Sequence, residues 1–152
     1  MKIYKVSSIK YLDVNNIYDI DDIYDIDDID DIDDIVRFLE EGIENVRMDS
    51  NINILRGKDP SVIAHKDLKV VGVLWDEFDG ENYSFDVTVL PEFRRQGIAK
   101  ELIDYALSTY SMYEEIGAKI ILDVVNKDLK NYLLKIGFQI DEDLGERFIM
   151  SK

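Results

Sequence analysis

Residues 87–107, VTVLPEFRRQGIAKELIDYAL, constrain the fold more tightly than any other stretch of the chain. The alternating run Tyr83–Leu90 puts Tyr83, Phe85, Val87 and Val89 on one face and Ser84, Asp86 and Thr88 on the other, as a strand does. After Leu90-Pro91-Glu92 comes the loop Arg94-Arg95-Gln96-Gly97-Ile98-Ala99. Gly97–Tyr110 then has helical spacing, with Ile98, Leu102, Ile103, Tyr105, Ala106 and Leu107 as its expected buried stripe. A strand, a loop and a helix in direct succession have the physics of an anion site, the alternative being an ordinary helix start with basic surface residues. The first helical turn has N–H groups with no intrahelical partner, and the helix dipole adds partial positive charge. Gly97 and Ala99 are small enough for close backbone approach, and Arg94, Arg95 and Lys100 add cationic charge.

The rest of the chain reads as alternating strands and helices. Lys2–Ile9 alternates and predicts a first strand. Residues 13–35 are a low-complexity tract in which isoleucine recurs every third residue, at Ile17, Ile20, Ile23, Ile26, Ile29, Ile32 and Ile35. In an α-helix each step of three falls about 60° short of a full turn, so the stripe winds around the axis. Asp is also a poor interior helix residue. The expectation here is an irregular or frayed helix. From Ile35 the spacing improves and predicts a helix over Asp31–Arg47. Val62–His65 and Lys69–Trp75 read as strands, and Asp79-Gly80 as a hairpin turn before Tyr83. Lys119–Val125 is a continuous apolar run of the kind found centrally in a sheet. Asn126 is an N-cap for another helix, which ends before Gly137 as C′ glycine. Phe138–Ile140 and Arg147–Met150 close as short strands. The order predicts an α/β domain with a mixed sheet.

Composition narrows the chemistry. The chain has 152 residues, the length of one domain, and at 46% hydrophobic it can bury a sizeable core. It has no cysteine, which excludes disulfides, thiolate metal sites and a cysteine nucleophile. One histidine, His65, leaves no histidine metal cluster and no obvious Ser-His-Asp set. No run approaches the ~18 apolar residues of a membrane span. The first residues lack a secretory h-region, so a cytoplasmic location is expected. The net charge of −15 disfavours nucleic acid and anionic membranes and favours cationic partners such as polyamines, aminoglycosides or basic protein segments.

VTVLPEFRRQGIAKELIDYAL resembles the V-x-P-x-[YF]-R-x-x-G-[IL]-[GA] segment of the GNAT superfamily of N-acetyltransferases. LDVVNKDLKNYLLKIGF resembles the same family's N-x-x-A-x-x-L-Y-x-x-x-G-F segment, with Asn126, Leu129, Gly137 and Phe138 at the family spacing. KVVGVLW fits the glycine-bearing strand before the hairpin. Together these cover about residues 62–140. The resemblance implies a single-domain GNAT-like fold over residues 1–152, with a mixed, mostly antiparallel sheet flanked by helices, and acetyl-CoA as co-substrate. It implies that Val87, Thr88 and Val89 hold the pantetheine arm as an added strand, and that a bulge splays this strand from the next. Arg94, Arg95, Gln96, Gly97, Ile98, Ala99 and Lys100 would cradle the pyrophosphate, and Asn126 would stand on the opposite wall. The acceptor would be a small-molecule amine or a basic protein; a homodimer through exposed strand edges is compatible with the pattern.

The chain departs from the family at the positions that carry proton transfer. Where many members have a tyrosine that protonates the departing thiolate, this chain has Leu133, with Tyr132 beside it. One residue is about 100° of helix rotation, so Tyr132 does not simply substitute. Where several members have a glutamate base, this chain has Tyr83, a poor base with an unperturbed pKa of ~10. Asp86 on the opposite face, and Asp76, Glu77 and Glu81 near the hairpin, are the alternatives. Trp75 and Phe78 either line the acceptor cleft or pack the core. His65 has no assigned role. The acidic tract Asp19–Asp34 would lie at the acceptor mouth and gather cations. A calcium site there lacks the turn glycine and terminal glutamate of an EF-hand loop. A catalytically weak acyl-CoA-binding or acidic protein-interaction domain is the competing reading.

Overall fold

The computed structural model describes residues 9–20, 29–50 and 57–152. Seven strands form one sheet in the order β1-β2-β3-β4-β5-β7-β6. They are β1 (Lys10–Asp13), β2 (Asp59–Lys66), β3 (Lys69–Phe78), β4 (Asn82–Val89), β5 (Lys119–Val124), β6 (Gln139–Asp143) and β7 (Phe148–Ser151). All neighbours are antiparallel except the parallel pair β4–β5. Among the described residues three α-helices flank the sheet: α1 (Ile29–Asp49), α2 (Ile98–Glu114) and α3 (Lys127–Lys135). The expected strand over Lys2–Ile9 lies, apart from Ile9, outside the described residues; the first described strand starts at Lys10.

The sheet separates two apolar layers. On one face α1 presents Ile35, Val36, Leu39, Ile43 and Val46 to Ile63, Val70, Val73 and Trp75. A Cβ on Gly42 would stand 2.8 Å from Val70 Cγ2, so glycine lets α1 lie close against β3. On the other face Ile98, Leu102, Ile103 and Ala106 of α2 and Leu133 of α3 cover Leu74, Tyr83, Phe85, Ile120 and Leu122. Each fully buried aliphatic side chain in these layers contributes about 1.5–3 kcal/mol relative to exposure. Gly72 matters for the site. A Cβ there would meet Ile98 Cγ2 at 3.2 Å and Leu102 Cδ1 at 3.3 Å, so its absence lets the start of α2 press onto β3 beside β4.

Local chemistry fixes the turns. Asp79 Oδ1 accepts the N–H groups of Glu81 (2.9 Å) and Asn82 (2.7 Å), and Gly80 adopts φ +100°, closing the β3–β4 hairpin. Asn126 Oδ1 accepts from Asp128 and Leu129 N–H, capping α3. Gly137, at φ +105°, ends the helix with Phe138 N–H donating to Leu133 O at 3.0 Å.

Two expectations gain detail and two are corrected. The irregular helix expected in the Asp-Ile tract opens as a 3-10 turn over Val14–Asp19 with a kink at Asn16; residues 21–28 of the tract lie outside the described residues, and from Ile29 the chain is a regular α-helix. A 3-10 turn repeats every three residues, and Ile17 and Ile20 are both buried. β5 lies inside the sheet, as expected, and is buried on one face: Ile120, Leu122 and Val124 are buried while Ile121 is 38% exposed. The reason is coverage, since α1 packs over β3 and its neighbours and stops short of β5. On α2, Tyr110 is buried and donates its hydroxyl to Ala118 O at 3.2 Å, whereas Tyr105 is 43% exposed and lies 5.8 Å from the Tyr11 ring. Finally, β4 carries no bulge against β3. The pairing runs unbroken from Phe78↔Tyr83 to Gly72↔Val89, and the irregularities fall between β2 and β3.

Candidate active site

β4 and β5 pair only at Asn82↔Lys119 and Tyr83↔Ile120. Beyond these pairs β4 continues to Val89 and β5 to Val124 without joining, so the two strands form a V that opens toward their C-terminal ends. Leu90 N–H donates to Val71 O at 2.8 Å, toward β3. Alternation along an antiparallel ladder therefore turns the N–H and C=O of Val87 and Val89 into the V. Thr88 pairs with Val73 on the other side. The splay thus arises where the parallel ladder stops, with β4 itself regular.

The predicted loop lies at the mouth of the V. Pro91–Phe93 forms a 3-10 turn, and Arg95 (φ +63°) and Gly97 (φ +82°) are left-handed. Gly97 is the N-cap of α2 and makes no side-chain cap bond, so the first-turn N–H groups are not taken up by a cap. A Cβ on Gly97 would meet nothing within 4 Å, so the space over this turn is open. Arg95, Gln96, Ala99 and Lys100 are exposed, while Ile98 is buried under α2. Arg94 behaves differently from its neighbours. Its Nε donates to Val89 O at 3.0 Å, bracing the loop against the strand end and occupying one carbonyl of the V. On the far wall, Asn126 spends its Oδ1 on capping α3.

The two faces of β4 carry very different polar groups. Tyr83 is fully buried and stacks between Tyr110 and Tyr113; its hydroxyl donates to Asp76 Oδ2 at 2.8 Å. Burial first, and the adjoining Asp76 carboxylate second, push the phenol further above its ordinary value. That weighs against proton abstraction by Tyr83. Asp76 is itself raised by burial, against the lowering effect of the bond from Tyr83. On the opposite face Asp86 is 9% exposed and accepts from Lys58 Nζ at 2.7 Å, with Lys58 only 6% exposed. Burial pushes the Asp86 carboxyl up to about 6; Lys58 works against that shift, and the charges of Asp123 and Glu77 add to it. Asp123 lies on the uncovered side of β5 and is held by both ends of the Arg147 guanidinium from the β6–β7 loop. Glu77 is exposed and accepts from Ser84 Oγ at 3.4 Å. The result is a cluster of three carboxylates and two cations beside the V, on the face opposite α2 and α3.

Other expected site residues fall elsewhere. Tyr132 is partly buried against the main core, and the expected acid position, Leu133, is fully buried in it. Trp75 is fully buried under the Arg47 guanidinium at 4.2 Å, and Phe78 stacks on Tyr113 at 4.2 Å; both pack. His65 is fully buried in β2. Sequence reasoning missed Lys58 and Asp123. The one available signal was Asp123 as the lone charge inside Ile120–Val125. No group of metal-ligating side chains occurs among the described residues, and no helix among them is long and apolar enough to cross a membrane.

The mixed seven-stranded sheet, with its splayed parallel pair and the helix start at the mouth, matches the acyl-CoA N-acyltransferase fold. The model for the acetyltransferase (GNAT) domain matches residues 58–140, more than half of the chain, and the protein belongs to that family. It is an acyltransferase by class. Among solved structures it is similar to an acyl-CoA N-acyltransferase from Pseudomonas aeruginosa (13% identity, TM-score 0.56), with 95% of this chain and 98% of that one covered. The PaiA N-acetyltransferase from Thermoplasma acidophilum in complex with coenzyme A (17%, TM-score 0.53) and PH1933 from Pyrococcus horikoshii (17%, TM-score 0.55) are covered to the same extents. A search of curated proteins gives no match by sequence.

Proposed function

We propose that the chain is a single acyltransferase domain that moves an acetyl group from acetyl-CoA to the primary amine of a cationic acceptor, with Asp86 as the base. The observation that carries this reading is the juxtaposition of the open V with Asp86 and its carboxylate neighbours on the other face of β4. The residues fit the co-substrate. Uncapped N–H groups at Gly97–Ala99, with Arg95 and Lys100, suit a pyrophosphate, and the inward N–H groups of Val87 and Val89 with the C=O of Val87 suit an amide-bearing arm. Bound acetyl-CoA would supply an activated thioester: as the amine nitrogen bonds to the acetyl carbon the carbon–sulfur bond breaks, and the thiolate leaves to take a proton from solvent. The protein's own residues prepare the amine. Asp123 and Glu77 favour an ammonium at the cleft, and Asp86 accepts the proton that must leave the amine before it can attack. A carboxylate raised to about 6 is a better base than an ordinary aspartate and is still ionised at neutral pH. Arg94 supports the loop, and Thr88 supports β4. Tyr132 and Asn126 keep supporting parts in the second wall.

The acidic tract fits a polycationic acceptor, whether a polyamine, an aminoglycoside or a basic peptide, which salt would release. Neighbours of the fold with coenzyme A bound support acetyl-CoA as the partner. A cytoplasmic location matches the reading from sequence, and a homodimer is compatible with it. The test is thiol release from acetyl-CoA against a panel of these amines, in the wild type and in Asp86→Asn. Turnover with at least one amine, lost in the variant, supports the proposal. Coenzyme A binding without turnover on any amine would favour a non-catalytic acyl-CoA-binding domain.

A further inference from the structure

Lys58 has no part in the reading from sequence, yet it is among the most buried charged residues described. It stands just before β2, and its side chain crosses β3 to reach β4. Its Nζ donates to Asp86 Oδ2 at 2.7 Å. Lysine is rarely buried without a paired charge, and removing one partner of a buried pair leaves the other uncompensated. The surroundings sharpen this. Asp123 from β5 and Glu77 from β3 are both negative toward Asp86; Arg147 is engaged by Asp123, and Arg47 from α1 sits over Trp75, the cross-strand neighbour of Asp86. Lys58 is therefore the cation in direct contact with the Asp86 carboxylate among the described residues.

We infer that Lys58 is a positioning residue: its ammonium keeps Asp86 ionised and oriented at the V in the free protein. This rests on the reading of Asp86 as the base. Without Lys58, a carboxylate packed beside two others holds its proton, and the protein loses its base at neutral pH. The acceptor's own ammonium competes with Lys58 for the same oxygen, which makes acceptor binding an exchange of one ammonium for another.

Carbon-13 NMR titration of the Asp86 carboxyl, assigned by its absence in Asp86→Asn, tests this without any acceptor. In the wild type the carboxyl should titrate near pH 6. In Lys58→Met it should move up by roughly one unit or more, and in Lys58→Arg, which keeps the charge, it should stay near the wild-type position. With spermidine as probe amine, Lys58→Met should lose roughly threefold or more in thiol release at about pH 6.5 and regain it toward about pH 9. A purely structural lysine would lower stability and cut activity equally at every pH. An unmoved Asp86 titration in folded Lys58→Met overturns the inference. Should that variant not fold, nitrogen-15 NMR of wild-type Lys58 decides: its ammonium signal should follow the Asp86 titration, and a flat signal refutes the contact. Full turnover in Asp86→Asn would sink the base reading alone, leaving the electrostatic coupling to stand or fall on the NMR result.

Discussion

Tyr83 and Asp86 stand three residues apart on β4, on opposite faces of the sheet, and both are buried ionisable groups. Tyr83 is closed into an aromatic layer, with its one proton committed to Asp76. Asp86 is paired with a cation at the edge of an open cleft, and the nearest helix on its face stops short of the strand beyond. The same desolvation raises both groups, with opposite consequences. It carries the phenol further from any useful basicity and brings the carboxyl toward the working range of a base. Burial alone does not separate the two; on the proposed function it is the position of Asp86 beside the V that makes it the base. His65 is a third buried ionisable group. It lies in β2, and burial holds its imidazole down at about 4.

The contrast can be broken most severely at Asp86. Asp86→Asn keeps the shape and removes the base, so thiol release with an accepted amine should fall by roughly a hundredfold or more. The wild-type rate should fall as pH drops through about 6, because protonated Asp86 cannot accept a proton, and this acid limb should vanish in the variant. His65 should behave in the opposite way, affecting stability and leaving chemistry alone. Its folded pKa lies below the unfolded value of 6.5, so the unfolded chain binds more protons as pH falls. Stability from this residue is full above pH 6.5 and is lost as pH falls toward about 4, amounting to about 3 kcal/mol. Denaturant melts of wild type and His65→Gln across that window should show a stability difference between the two that shrinks by about 3 kcal/mol as pH falls from 6.5 to about 4, over whatever pH dependence Asp86 and Asp76 give both proteins.

A smaller effect belongs to the loop. Replacing Arg95 and Lys100 together by alanine should raise the KM for acetyl-CoA by roughly tenfold at low salt and less at high salt, with kcat little changed. The smallest effect is at Tyr83. Tyr83→Phe removes one hydrogen bond, so it should cost about 1 kcal/mol of stability and leave turnover within about twofold of wild type. A large loss of turnover in that variant would reverse the assignment of the two faces.

Much of this arrangement could be read from local pattern. The alternation of β4, the small residues at Gly97 and Ala99, the Asn126 cap and the Gly137 stop are each written in consecutive residues, and each appears where expected. What escaped was nonlocal. The Lys58–Asp86 pair joins residues 28 apart, and its register depends on irregularities between β2 and β3 that no spacing rule reveals. The apolar run of β5 places it inside the sheet, but only the reach of α1 shows that the Ile121 and Asp123 side is left open. The triplet isoleucines do not fit α-helical periodicity, whereas Ile17 belongs to a 3-10 turn that shares their period.

The central claim is that the V between β4 and β5 receives an acyl-CoA, and thermal unfolding with and without acetyl-CoA tests it most directly. A ligand that binds only the folded state stabilises it by about 2.7 kcal/mol at a hundred times its Kd. For a chain of this length that raises Tm by roughly 5–10 °C. The account predicts such a rise, diminished when Arg95 and Lys100 are replaced. No shift at millimolar acetyl-CoA would contradict it.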